Sequence, residues 1–251
     1  MRLVVDEAHP GTPEAAWRRS DALRRLPAVE PGHPRRLVVV APHPDDEVLG
    51  AGGLLQSFVA AGVPIEVLAV TDGERSHPRL TGAQVEGLRD TRAHEAELAL
   101  RRLGLPEPIT VRLGLPDGRV ADAEPQVQEA LAEVGPDDLV LAPWWGDGHP
   151  DHDACGRVAW TVAEGVGARS LHYLVWAWHW ADPDRDDLPW ERCRRFDFDR
   201  ARAARKRRGI GAFASQIRSW DPDAGDEPVL PPSVLARFQR RFEVFVERHP
   251  H

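Results

Sequence analysis

The stretch from Leu37 to Gly50 constrains this chain more than any other. It opens on an uninterrupted apolar run, Leu37-Val38-Val39-Val40, with the length and β-branched content of a strand buried on both faces. Pro42 and Pro44 then interrupt regular structure. From Asp46 the sequence reads as a helix start, with acidic residues in its first turn. His43, Asp45 and Asp46 are thereby crowded at the carboxyl end of a central strand, where open α/β sheets place their ligand sites. One imidazole and two carboxylates so close together are costly to hold unless a cation balances them.

The pattern around that stretch repeats. Strands are expected at 36–41, Ile65–Thr71, Ile109–Leu113, Asp138–Ala142 and Leu171–Trp176. Helices are expected between them at about 46–61, Gly82–Leu103, 123–134 and 153–166. Such alternation indicates an α/β fold: a Rossmann-like, doubly wound, mostly parallel sheet with helices on both faces. The 251 residues fit one domain over 1–251, with the Pro- and Arg-rich residues 1–35 as an N-terminal arm packed on it. Its helix is expected from Thr12-Pro13 to about Arg25. The last third is less regular, with Trp176, Trp178, Trp180 and Trp190 in a long excursion and an edge strand at Cys193–Phe198. A basic helix follows at 199–213, its charges read as a solvated face, and a closing helix at Ser233–Glu247. Gly50-Ala51-Gly52-Gly53 lacks the spacing of a dinucleotide loop; glycine there points instead to a close approach by another group.

A second landmark, Pro143 to His152, follows the fourth strand and adds His149, Asp151 and His152. His43 with Asp46, and His149 with His152, are each three residues apart around a turn. Zinc in hydrolases takes three such ligands and keeps one position open. The net charge of -8 argues against a nucleic-acid or anionic-membrane partner. No window approaches the roughly 20 apolar residues of an integral membrane segment, and Met1 is followed by no signal-like apolar core. Cys155 and Cys193 lack C-x-x-C spacing, so no disulfide framework is expected and a reduced cytoplasmic setting is.

The segments Pro42-His43-Pro44-Asp45-Asp46-Glu47 and His149-Pro150-Asp151-His152 resemble the paired signatures of the PIG-L/LmbE-like zinc N-deacetylases. Thr71-Asp72-Gly73-Glu74, Arg89–Glu95, Lys206 and Ser215-Gln216 extend the resemblance over about 36–216. It implies one Zn²⁺ per chain, or another divalent transition metal, held by His43, Asp46 and His152. Asp45 would be the general base. His149 would stabilise the oxyanion or act as general acid, with Asp151 orienting a histidine. The implied reaction removes an acetyl group from a small N-acyl amino sugar or glycoside. A related amide, C–N or ester hydrolase on a non-sugar product is the alternative, and a non-catalytic zinc- or ligand-binding module the further one. Some members carry a tyrosine where this chain has Asp147, which leaves more of the electrophilic role to His149. Arg75, Trp144 and Asp147 are the expected substrate contacts, Trp144 by stacking on a sugar face. A homo-oligomer is compatible with this reading.

Overall fold

The structure, a computed structural model, describes residues 11–107, 109–220 and 227–247. Residues 1–10 of the expected arm lie outside them. The strands are β1 (Leu37–Ala41), β2 (Ile65–Thr71), β3 (Ile109–Leu115), β4 (Leu139–Pro143), β5 (Arg169–Tyr173), β6 (Cys193–Asp197) and β7 (Phe242–Glu247). The longer helices are α3 (Asp46–Ala60), α4 (Ala83–Leu103), α5 (Glu124–Ala130), α6 (Pro150–Val166) and α8 (Arg200–Ile210). Short ones are α1 (Glu14–Arg19), α2 (Asp21–Arg25), α7 (Ala177–Trp180), α9 (Ala214–Ile217) and α10 (Pro232–Leu235).

The seven strands form one sheet in the order β3-β2-β1-β4-β5-β7-β6. The first five are parallel, and β7 runs antiparallel to both β5 and β6. This is the expected doubly wound α/β sheet. Alternate residues of β1 feed opposite faces. Leu37 and Val39 pack with Leu54, Leu55 and Phe58 of α3, while Val38 and Val40 pack with Ala154, Val158 and Ala159 of α6. Strand order reverses between β1 and β4, so the loops after those two strands diverge and leave a crevice at their carboxyl ends. Both sequence landmarks sit there.

The closing helix expected over Ser233–Glu247 does not form. α10 and a 3₁₀ turn at Ala236–Phe238 are followed by β7, which inserts between β5 and β6. Phe242-Glu243-Val244-Phe245-Val246 is aromatic and β-branched, the composition that suits a pleated, half-buried surface. Placing it there buries Val244, Phe245 and Val246. β6 is the edge strand, as expected. The basic helix α8 is not wholly solvated either, because Lys206 is buried.

β7 also delivers Glu243 to α3. Its carboxylate accepts the N–H groups of Gly53 and Leu54 at 2.6 and 2.9 Å. Lys206 Nζ donates to Glu243 at 2.6 Å and to the Leu49 carbonyl at 2.7 Å. A buried ion pair is thus inserted into the middle of the helix whose first turn carries Asp46. The α3 glycines have a packing reason. A Cβ at Gly50 would run into the Tyr173 ring, and one at Gly53 into Phe198. The described part of the N-terminal arm packs on the Trp-rich excursion through Trp17, whose indole meets Trp178 edge-on at 4.9 Å.

Candidate active site

Three donor atoms converge in the crevice. His43 Nδ1 and His152 Nε2 each lie 3.1 Å from Asp46 Oδ2, and the two nitrogens are 3.3 Å apart. Ligands on a tetrahedral ion with bonds of about 2.0–2.1 Å stand about 3.3 Å from one another, so this triangle fits one face of such a centre. Chain geometry explains the convergence. His43 ends the β1 turn, Asp46 opens α3, and His152 lies in the first turn of α6. Asp46 Oδ2 also accepts the His43 N–H at 2.9 Å, which closes the turn on itself. Burial opposes the Asp46 charge, but His152 and His43 outweigh it and hold the carboxyl well below its usual range.

The far nitrogen of each imidazole is held by a carboxylate. His152 Nδ1 donates to Asp147 Oδ2 at 2.8 Å, and His43 Nε2 lies 3.2 Å from Asp151 Oδ2 and 3.4 Å from Asp117 Oδ1. With a cation in place, these contacts would keep the protons on the outer nitrogens and turn both lone pairs inward. Asp147 is therefore no substrate contact. It is fully buried, and its oxygens also accept the N–H groups of Val175, Trp176 and Ala177 at 2.9–3.0 Å. The histidine that Asp151 meets is His43, and Asp151 is itself fixed by the N–H groups of Gly118 and Val120 at 2.7 and 3.0 Å.

Asp45 caps α3 and is the one non-glycine residue with positive φ, 157°, among the described residues. Such a conformation persists only where the surroundings impose it. Here Arg92 of α4 binds Asp45 Oδ2 and the Pro44 carbonyl, each at 3.1 Å, and the Gly73 carbonyl at 2.8 Å. Burial raises the Asp45 carboxyl and Arg92 counters, leaving it at about 7. His149 sits beside the triangle, with ring nitrogens of His43, His149 and His152 within 4.8 Å of one another. Its Nδ1 accepts the Asp151 N–H at 3.3 Å, which puts the ring proton on Nε2. Burial, then the neighbouring charges of His152 and His43, push its pKa down to about 3.

The remaining expected contacts separate. Trp144 is buried and stacks on Trp180 with ring centroids 6.5 Å apart, so no sugar-stacking face is presented. Trp176 is half-buried and stacks on His149 at 5.6 Å. Arg75 is exposed on the loop after β2, its N–H donating to Asp117 Oδ2 at 2.8 Å. Asp117, Arg92 and Trp176 were not singled out as site residues from the sequence. Asp117 follows β3, a parallel strand, and the rule that ligands gather at carboxyl ends of parallel strands was the available signal. A second cluster of potential donors, His43, Asp117 and Asp151, shares His43 with the first.

Comparison with known proteins fits this arrangement. The family model described as GlcNAc-PI de-N-acetylase matches residues 38–163, which include both landmarks. A 1D-myo-inositol 2-acetamido-2-deoxy-alpha-D-glucopyranoside deacetylase of Catenulispora acidiphila is 29% identical over 160 residues, 53% of each chain. The match thus spans about half the length of that relative. A conserved protein of Thermus thermophilus superposes with a TM-score of 0.58 at 26% identity, covering 87% of this chain and 96% of that one. The N,N'-diacetylchitobiose deacetylase of Pyrococcus horikoshii shares the fold, with a TM-score of 0.53 at 17% identity over 83% and 77% of the two chains.

Proposed function

Since the chain belongs to the GlcNAc-PI de-N-acetylase (PIG-L) family, we propose that it is a zinc-dependent hydrolase that removes an acetyl group from an N-acetylated amino sugar or glycoside. The observation that carries this reading is the His43–Asp46–His152 triangle with Asp45 and His149 beside it. The three would hold the cation; zinc suits the donor set, and iron or cobalt can occupy similar ones. When bound, the cation would polarise the amide carbonyl and make water nucleophilic near neutral pH.

The chain's own groups supply the rest. Asp45, poised at about 7 between burial and Arg92, accepts the proton of the attacking water and returns it to the departing amine. His149, neutral with its proton on Nε2, donates a hydrogen bond to the carbonyl oxygen as negative charge develops there. Asp147 and Asp151 fix the two ligand imidazoles. Trp176 and Arg75 border the mouth and are assigned to the sugar, the indole by stacking and the guanidinium by hydrogen bonding. The relatives' names point to acetamido sugars, which is the substrate class to test first.

Purified protein should release free amine from N-acetylglucosamine conjugates, lose that activity to a chelator, and regain it with added zinc. Release from simple N-acyl amines but not from the sugar conjugates would move the reading to a non-sugar amide hydrolase. No metal uptake by the wild type, or full occupancy in His43→Ala/His152→Ala, would overturn the ligand assignment.

A further inference from the structure

α7 is a single turn of four residues, too short to persist without support from the rest of the fold. It is held at both ends. At its start, the N–H groups of Val175, Trp176 and Ala177 all donate to the Asp147 carboxylate. At its end, three carbonyls are met by the N-terminal arm. The Trp17 indole Nε1 donates to the Trp178 carbonyl at 3.0 Å. The Thr12 N–H donates to the His179 carbonyl at 2.7 Å, and Thr12 Oγ1 to the Ala181 carbonyl at 2.7 Å. Carbonyls at a buried helix end need such partners.

The arm is fixed in its turn. Arg237, itself buried, donates from Nε and Nη2 to the Thr12 carbonyl at 3.0 and 2.7 Å. Glu14 binds Arg240 at 2.6 Å, and the Arg240 guanidinium lies 4.2 Å over the Trp178 ring. A Cβ at Gly11 would run into the His179 carbonyl, so arm and α7 touch backbone to backbone.

Trp176, the residue just before α7, connects this clamp to the crevice. Its indole stacks on His149 at 5.6 Å with the planes 26° apart, and the His179 ring meets it at 5.5 Å and 65°. The hydrogen bond that His149 accepts from the Asp151 N–H is long, at 3.3 Å. Packing therefore sets the plane of the His149 ring, through Trp176 on its face and the His43 ring, edge-on at 4.8 Å. Misplacement of a reacting group by about 1 Å can cost about 10²-fold in rate.

We propose that Thr12 and Trp17 are positioning residues for the reaction. By fixing the end of α7 they hold the Trp176 indole against His149, and so keep His149 Nε2 aimed at the carbonyl oxygen. Both act through α7. The inference rests on the reading of His149 as the oxyanion donor, and it makes the N-terminal arm part of the working site.

Thr12→Val removes the hydroxyl donor and keeps the side-chain shape, while Thr12→Ser restores the donor. Nuclear magnetic resonance of the His149 ring protons, identified by their loss in His149→Ala, reads the stack directly. The indole face shifts those protons upfield whether or not the chain hydrolyses an amide. In Thr12→Val they should move toward their position in Trp176→Ala, and in Thr12→Ser they should stay at the wild-type position. On an N-acetylglucosamine conjugate, kcat should fall about tenfold in Thr12→Val with metal content unchanged, and recover in Thr12→Ser. In a Trp176→Ala background the same substitution should cost less than about twofold, since coupled residues are not additive. Trp17→Phe, which loses the indole donor, should behave like Thr12→Val; if it does not fold, Thr12 decides alone. Unmoved His149 signals in Thr12→Val, an equal loss of kcat with and without Trp176, or loss of the metal would each overturn the proposal. If the wild type releases no amine, the deacetylase reading falls, and the ring signals alone decide the positioning role.

Discussion

His152 donates from Nδ1 to Asp147 Oδ2 at 2.8 Å, and both side chains are fully buried. The contact holds the ring with Nδ1 turned outward and Nε2 turned toward Asp46. It also explains how aspartate can stand where some family members carry tyrosine. Here the side chain at that position is spent on His152, a ligand of the proposed metal site.

Asp147→Asn should therefore weaken metal affinity by roughly 10–100-fold, the usual cost of losing an outer carboxylate on a ligand histidine. Competition against a chromophoric chelator measures it. The amide oxygen, in place of Oδ1, still accepts the Val175 and Ala177 N–H groups, so the variant should fold, while the Trp176 N–H loses its acceptor. Unaltered affinity would mean that the tautomer is set elsewhere.

Asp45 and His149 should separate by metal content and rate. Asp45→Asn is expected to keep the metal and lose roughly 10²–10⁴-fold in kcat. His149→Ala should also keep it and lose roughly 10²–10³-fold, as for an oxyanion donor. Because His149 is held neutral, its removal should leave the shape of the pH–kcat/KM profile intact. Disappearance of the alkaline limb in His149→Ala would restore it as the general acid.

Lys206→Met should be strongly destabilising. The Lys206–Glu243 pair is buried, 3% and 2% exposed, and removing one partner of such a pair costs about 3–5 kcal/mol. Chemical denaturation reads the loss. Lys206→Met/Glu243→Gln should recover part of it, since no lone charge then remains inside. A loss under about 1 kcal/mol in the single variant would show that water reaches the pair.

His179 and His172 should make the fold acid-sensitive. Burial lowers the His179 pKa to about 3, with Arg237 and Arg240 adding to it, and burial lowers His172 to about 4. Both stay neutral when folded but take up a proton near 6.5 once unfolded. The unfolded state thus binds more protons between those limits, and stability present above pH 6.5 falls as pH drops toward 4. The slope is about 1 kcal/mol per pH unit for each histidine. Denaturation midpoints across that range should fall less steeply in His179→Gln than in wild type. Parallel slopes would assign the acid sensitivity to other groups.

The crevice was legible because its main parts are local. Strand β1, the prolines that stop it and the three-residue spacing of His43 and Asp46 lie in one short stretch. The same holds for His149 and His152 after β4, and the alternation of apolar runs placed both loops at one edge of the sheet. What each side chain faces was not local. Asp147 and Asp151 lie beside histidines in sequence, yet α6 and the β5 loop decide which imidazole each carboxylate meets. Arg92 reaches Asp45 across 47 residues and Asp117 reaches His43 across 74, so those contacts needed the packed fold. Phe242–Glu247 makes the same point for secondary structure. Six residues rich in aromatic and β-branched side chains are too short for periodicity to decide between helix and strand. The gap between β5 and β6, with backbone donors and acceptors open on both sides, made them a strand.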